Sequence, residues 1–130
     1  MTLTEVKDFL KSKVDCPNWY VGKRDGTKEE CITVYPTDGV APVLPLGGVD
    51  QGTYGTKAVS VFVHWGEYCT PAEEKAQQVY NCLFGQTGTI GGKEVIKLDM
   101  RTSEPVGIGT DDKGIYEYVI NFVIYYRKGK

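Results

Sequence analysis

The sequence predicts an α+β domain: an antiparallel sheet of four or five strands with two helices packed on one face. Three observations carry this. Residues 58–65 alternate, with Val59, Val61, Val63 and Trp65 on one side and Ala58, Ser60, Phe62 and His64 on the other. Residues 115–127 alternate over a longer run, with Tyr116, Tyr118, Ile120, Phe122, Ile124 and Tyr126 opposite Ile115, Glu117, Val119, Asn121, Val123 and Tyr125. Two other segments, near the N-terminus and after residue 70, carry apolar residues at helical spacing.

In chain order, Thr2-Leu3-Thr4-Glu5 comes first and has the form of a capping box, in which threonine and glutamate side chains satisfy free backbone N–H groups. Leu3, Val6, Leu10 and Val14 then share one side with Phe9 beside them, while Lys7, Asp8, Lys11 and Lys13 face out. Pro17 stops the helix, because the residue before a proline avoids the helical region. Residues 18–23 and 30–35 read as two short strands. Asp25-Gly26 between them is a strong turn dipeptide, so a hairpin is expected, with Trp19 and Val21 toward Ile32 and Val34.

Residues 36–56 keep neither period and hold Pro36, Pro42, Pro45 and several glycines. Loops this long are usually functional or disordered, and the stretch 37–56 is expected to be mobile in the isolated subunit. Yet Val40, Val43, Leu44, Leu46, Val49 and Tyr54 suit poorly a loop that meets only water. Either the loop folds back on its own domain or it meets another chain.

The second helix is expected to start with Thr70 as its cap, Pro71 at the first helical position and Glu73 reaching back. Ala72, Ala76, Val79, Tyr80 and Leu83 share one face, to be laid on the sheet face of Val59, Val61, Val63 and Trp65, and Gly85 ends the helix. Residues 86–92 read as a helix-to-strand turn. They are not a phosphate loop: position 87 is Thr87, Glu94 rather than Ser or Thr follows Lys93, and the segment follows a helix. Residues 94–101 alternate, with Ile96, Leu98 and Met100 inward and Lys97, Asp99 and Arg101 outward. Residues 105–114 lead to the last strand through the turn Asp112-Lys113-Gly114. Both faces of that strand are substantially apolar, although antiparallel strands usually keep one wet face. Something beyond the helices, such as another subunit, is expected over part of its second face.

At 130 residues the chain has the length of one domain, 1–130. A net charge of −2 gives no pull toward nucleic acid or an acidic membrane, so sequence-specific nucleic-acid binding is not expected. No apolar run reaches membrane-spanning length, and the start lacks the basic region and apolar core of a signal peptide, which points to the cytoplasm. Cys16, Cys31, Cys69 and Cys82 have no metal-type spacing and read as small buried hydrophobes rather than disulfides. His64 is the sole histidine, which excludes a multi-histidine metal site; it reads as structural or as a surface residue. A Cys–His nucleophile would need Cys69 or another thiol brought to His64, and nothing local activates one. The helix dipole explains Glu73-Glu74, and Asp111-Asp112 lacks the spacing of a calcium loop. No catalytic residue, cofactor site or metal site is expected, and the chain does not read as an enzyme.

A more specific signal lies in the order of short motifs from about Cys31 to Lys128. Val34-Tyr35-Pro36 precedes a loop with Gly47-Gly48, and Val59-Ser60-Val61-Phe62-Val63 precedes a helix ending Val79-Tyr80-Asn81-Cys82-Leu83-Phe84-Gly85. Pro105 then leads to Ile108-Gly109-Thr110-Asp111-Asp112-Lys113-Gly114-Ile115-Tyr116-Glu117-Tyr118-Val119-Ile120-Asn121-Phe122, closing on Tyr125-Tyr126. This pattern resembles a family of minor capsid, or tail-completion (tail-terminator), proteins of long-tailed bacteriophages. In that family an Ile/Leu-Gly-Arg-Asp-like turn leads to Gly, an aromatic residue, Glu and an Asn-Phe strand; Thr110 stands where the pattern has Arg. The resemblance implies a tail-terminator-like fold and a structural virion protein made in the host bacterial cytoplasm. It also implies a homo-oligomeric, hexameric ring that caps the tail tube and joins it to the head. The partners would be the tail-tube protein and a head-side connector protein, with no cofactor and no membrane.

A cyclic ring joins unlike patches. The contacts are assigned to the long loop, through Val43, Leu44, Leu46 and Tyr54, and to the later turn, through Pro105, Ile108 and Asp111. Besides an engineered or prophage remnant with no retained role, two other readings stay open. One is another head–tail joining or tail-tube protein; a tube protein would polymerise into long tubes. The other is a small ligand-binding domain or enzyme, which would need a closed pocket around His64 or Cys69.

Overall fold

The N-terminal capping box forms. In the computed structural model, which describes residues 1–23, 28–37 and 54–127, helix α1 spans Leu3–Lys13. Thr2 Oγ1 accepts from the Glu5 N–H at 3.2 Å, and Glu5 Oε1 accepts from the Thr2 N–H at 2.8 Å. Two donors that a helix start leaves unpaired are thereby satisfied. The helix gives way to extended backbone at Val14, before Asp15-Cys16-Pro17.

Among the described residues, seven strands and a second helix follow: β1 Trp19–Val21, β2 Glu30–Pro36, β3 Tyr54–Trp65, α2 Cys69–Leu83, β4 Gly88–Ile90, β5 Lys93–Met100, β6 Val106–Thr110 and β7 Tyr116–Arg127. The class is α+β, but the sheet is larger than four or five strands and is mixed. Its order is β1-β2-β3-β7-β5-β4, and β6 pairs β7. β7 is therefore flanked by β3 on one edge and by β5 and β6 on the other.

The first two strands do not form a hairpin. β1 and β2 run parallel, with Trp19 opposite Ile32 and Val21 opposite Val34. The ladder is closed by the Ile32 N–H donating to the Asn18 carbonyl and the Gly22 N–H donating to the Val34 carbonyl. The Asn18 side chain adds a bond to the Glu30 carbonyl at 3.0 Å. Pairing partners set strand direction here, whereas Asp25-Gly26 was only a local signal; it lies outside the described residues.

The segment after α2 is more than a turn. β4 and β5 form a hairpin around Gly91 and Gly92, at φ +59° and +80°. Two left-handed residues between paired Ile90 and Lys93 make the two-residue turn whose twist suits flanking strands. β5 then departs from simple alternation. Val95 pairs with Tyr126 and Lys97 with Tyr125, so Ile96 sits in a bulge. Val95 is buried and Ile96 is exposed, while Leu98 still faces the core.

α2 begins one residue before Thr70, with Tyr68 as its N-cap and no side-chain capping bond, so the expected Thr70–Glu73 box does not form. Pro71 still falls in the first turn, where a missing N–H breaks no helical bond. At the other end the Phe84 N–H donates to the Tyr80 carbonyl, and Gly85 follows at φ +73°.

Ala72, Ala76, Val79, Tyr80 and Leu83 are all buried, as the helical spacing requires. Val59, Val61 and Val63 of β3 join Ile120, Phe122 and Ile124 of β7 in the same core. Val6, Leu10 and Val14, with Ile32 and Val34, complete it. Both helices thus cover one sheet face. α1 touches β1 and β2 at one margin of the sheet and β4 at the other, so the sheet curls around the helices. On the opposite face Glu117 and Val123 are buried, and Val119, Asn121 and Tyr125 are half-buried. All four cysteine thiols are free; Cys31 is buried but Cys69 is exposed, against the expectation for it.

Residues 38–53 of the long loop, Val43, Leu44 and Leu46 among them, lie outside the described residues. Tyr54 belongs not to that loop but to β3, where it pairs with Arg127.

Gly91 tests the contact between α1 and the β4–β5 turn. A Cβ there would lie 2.8 Å from Glu5 Cβ and would also press on the Glu5 carboxylate that closes the capping box. Gly91→Ala is expected to lose about 1–2 kcal/mol from left-handed backbone alone, and more as Glu5 is displaced. Gly92→Ala, with open space around it, should lose only the backbone part. Urea unfolding of both variants measures the difference, and equal losses would remove the Glu5 contact from this account.

Candidate interaction surface and its polar anchor

The connection from β6 to β7 is built on one side chain. Asp111 Oδ1 accepts from the N–H groups of Lys113 at 2.8 Å and Ile115 at 3.0 Å. Gly114, at φ +80°, donates its N–H to the Asp111 carbonyl. An aspartate that accepts from backbone two residues on is a local template for a turn.

The other oxygen, Asp111 Oδ2, lies 2.8 Å from His64 Nε2. His64 is 1% exposed and sits on β3, on the sheet face away from the helices. Strand pairing places Cys31 of β2 on one side of it and Glu117 of β7 on the other. Cys31 Sγ is 3.9 Å from Nδ1, and Glu117 Oε2 is 3.9 Å from Nε2. This polar cluster pins the β6–β7 turn to the sheet. The hydrogen bond from His64, then the backbone N–H of Ile115 and that of Lys113, hold the Asp111 carboxyl down at about 2.

Cys31, His64 and Asp111 are the members of a thiol–imidazole–carboxylate relay. Cys31 and His64 are 0% and 1% exposed, however, and a nucleophile must meet its substrate. Cys69, the other thiol considered, lies 3.9 Å from the Tyr118 hydroxyl instead.

The anchored turn presents β6. All five of its residues are exposed, Val106 at 42% and Ile108 at 50%. Gly107 pairs with Tyr118 and Gly109 with Glu117, which leaves Ile108 in a bulge. A Cβ on Gly107 would stand 3.2 Å from the Tyr118 ring, so glycine lets the strand lie close. Among the described residues, the outer edge of β6 pairs with no strand. Beside its start, Glu73, Glu74, Gln77, Glu104, Pro105 and Tyr118 line a shallow hollow of about 250 Å³. Burial, and then the nearby Cys69, push the Tyr118 phenol up to about 12. The hollow is acidic through three carboxylates and keeps a neutral hydroxyl in its wall.

Pro105, Ile108 and Asp111 are thus brought to one region, but with different roles. Pro105 lines the hollow, Ile108 projects, and the Asp111 carboxylate turns inward. Tyr54 is elsewhere. It starts the strand that His64 nearly ends, roughly 30 Å away at strand spacing, and its ring lies 6.1 Å from Tyr125. Sequence reading missed Val106 and the His64–Asp111–Glu117 cluster. His64 and Glu117 each stood on the second face of a predicted strand, but only the register of β3 on β7 shows them to be opposite. No helix among the described residues is long and apolar enough to cross a membrane.

Comparison with known families gives a match over residues 7–128 to the family described as bacteriophage tail terminator protein. No curated protein matches the chain.

The anchor makes a pH-dependent expectation. Asp111 titrates near its ordinary value of 3.8 when unfolded and at about 2 when folded. A depressed folded value contributes stability that is complete above about pH 4 and is lost as pH falls through about 2. Asp111→Asn should therefore melt below the wild type at neutral pH, and the two melting temperatures should converge between pH 4 and 2. Curves that stay parallel to pH 2 would show that the charge on Asp111 does not hold the turn.

Proposed function

The chain belongs to the bacteriophage tail terminator family, and from that membership we propose that it is a structural virion protein that closes the tail tube as a homo-oligomeric, hexameric ring. Its partners in this reading are further copies of itself, the tail-tube protein and a head-side connector protein. It is made in the host bacterial cytoplasm and assembled there into the particle. The reading assigns no catalytic step to the chain.

The observation that supports it best is the β6 edge. Proteins that stay monomeric blunt their edge strands with charge, proline, short length or bulges, and β6 is short, follows Pro105 and is bulged at Ile108. β6 carries none of its own charged residues and exposes Val106 and Ile108. A head-to-tail ring needs two unlike patches per subunit. β6, with Pro105 and the Asp111 turn, supplies one in this proposal. The acidic hollow of Glu73, Glu74 and Glu104 beside it suits a basic side chain from the neighbour. Val43, Leu44 and Leu46, with Tyr54 at the base of β3, are assigned to the second patch.

Val106→Asp combined with Ile108→Asp tests the first patch. Both side chains are exposed, so each change should move monomer stability by about 0.5 kcal/mol or less. Charge placed in a closing apolar contact is far more costly. Native mass spectrometry should show rings for the wild type and monomers for the double variant, and phage carrying it should show tails of uncontrolled length by electron microscopy. Intact rings from the folded double variant would take β6 out of the contact.

A further inference from the structure

We propose that His64, Asp111 and Glu117 form a binding site for one divalent transition-metal ion of the zinc class. Three residues from three places in the chain converge there: His64 on β3, whose Nε2 faces Oδ2 of Asp111 in the β6–β7 turn and Oε2 of Glu117 on β7. Nε2 is 2.8 Å from Oδ2 and 3.9 Å from Oε2, and one ligand atom of each residue falls within 4.8 Å of the other two. Even with the third side at that full length, a point about 2.4 Å from every donor exists. The ~2.0–2.2 Å of zinc–nitrogen and zinc–oxygen bonds requires the Glu117 side chain to move toward His64 on binding.

The donor types decide the class of ion. Magnesium and calcium take sets made of oxygen. An imidazole nitrogen in the set favours zinc and its neighbours among the transition metals. Two carboxylates match the charge of a divalent cation. The surroundings already hold the ligands in place. Asp111 Oδ1 is fixed by two backbone N–H groups, and His64 Nδ1 faces Cys31 Sγ at 3.9 Å, the position of the second partner that metal-binding histidines use. His64 is closed off, but the side chains of Asp111 and Glu117 are 17% and 11% exposed, so an ion enters from their side and water completes its coordination. The ion takes the place of the proton between Nε2 and Oδ2. It would fasten β3, β7 and the β6–β7 turn together through bonds rather than one hydrogen bond. This site belongs to the single chain and does not depend on the ring reading.

The test uses the full chain, reduced and stripped of metal, titrated with Zn²⁺ by calorimetry at neutral pH, with Mg²⁺ and Ca²⁺ as separate titrations. One zinc per chain and a raised melting temperature are expected, with no effect from Mg²⁺ or Ca²⁺ at the same concentration. Glu117→Gln, close in shape, and His64→Asn should each weaken zinc at least about tenfold, with circular dichroism confirming the fold. Should His64→Asn not fold, Glu117→Gln carries the test. Co²⁺ should give a visible d–d band without thiolate charge transfer. A thiolate band, unchanged zinc affinity in folded Glu117→Gln, or no zinc bound by the wild type overturns the proposal.

Discussion

The β3–β7 ladder, running from Tyr54 opposite Arg127 to His64 opposite Glu117, is the constraint on which the other features depend. A slip of one residue would turn Val59, Val61 and Val63 from the helices to the outer face. The same slip would part His64 from Glu117 and leave the Asp111 turn without its anchor. Core and polar cluster are therefore specified by one register, from opposite faces of the same two strands. Side-chain volume holds it on one face and the polar contacts of His64 with Asp111 and Glu117 on the other. The exposed ion pair of Arg127 with Glu94 at the end of β7 is a minor contributor by comparison, since such pairs contribute about 0–1 kcal/mol and fully burying one valine contributes about 1.5 kcal/mol or more.

The curl of the sheet follows from the same economy of surface. Two helices cannot cover a flat seven-stranded sheet, and they do not have to. α1 meets β1 and β2 at one margin and β4 at the other, so the margins come round to it. The bulge at Ile96 contributes by adding twist where β5 runs along β7. Glycines sit where the approach is closest. Gly55 lies under the Tyr126 ring, where a Cβ would come within 2.8 Å of Tyr126 Cζ, and Gly91 lies under Glu5. Among the described residues, β6 escapes this closure, and its five residues are all exposed.

What could be read from the sequence was whatever depends on local period. The buried face of α2 is Ala72, Ala76, Val79, Tyr80 and Leu83, residue for residue the stripe its spacing marks. The Thr2–Glu5 cap and the two long strands were legible for the same reason. What failed required non-local knowledge. Asp25-Gly26 suggested a hairpin, but β1 runs parallel to β2 because its hydrogen bonds close at Asn18 and Gly22. Ile96 looked inward because alternation was carried through a bulge that only the pairing with Tyr125 and Tyr126 shows. Thr70 looked like a cap because it precedes a proline, yet the helix starts before it. Residues 105–114 read as a connection, whereas β6 within them is shown only by its pairing with β7. The polar cluster was invisible for a geometric reason: His64 and Asp111 stand 47 positions apart and meet only in the folded sheet.

In the proposed ring, Asp111 would prepare the interaction surface from behind. An edge strand offered to another chain must keep its shape while unpaired on one side, and ordering a free segment opposes association by about 1–2 kcal/mol per residue of backbone. β6 meets this through its ladder to β7 and through the turn that follows it, where Asp111 spends both carboxylate oxygens on internal bonds. Those oxygens are then committed, so within the proposed ring Asp111 acts by fixing where Ile108 projects rather than by touching the neighbour itself. In that proposal the apolar contact would fall to Val106 and Ile108, and the charged contact to Glu73, Glu74 and Glu104 beside them. The division is physically economical. Asp111 sets geometry through internal bonds; in the proposed ring the exposed carboxylates would meet a partner, where they steer approach and register more than they add affinity.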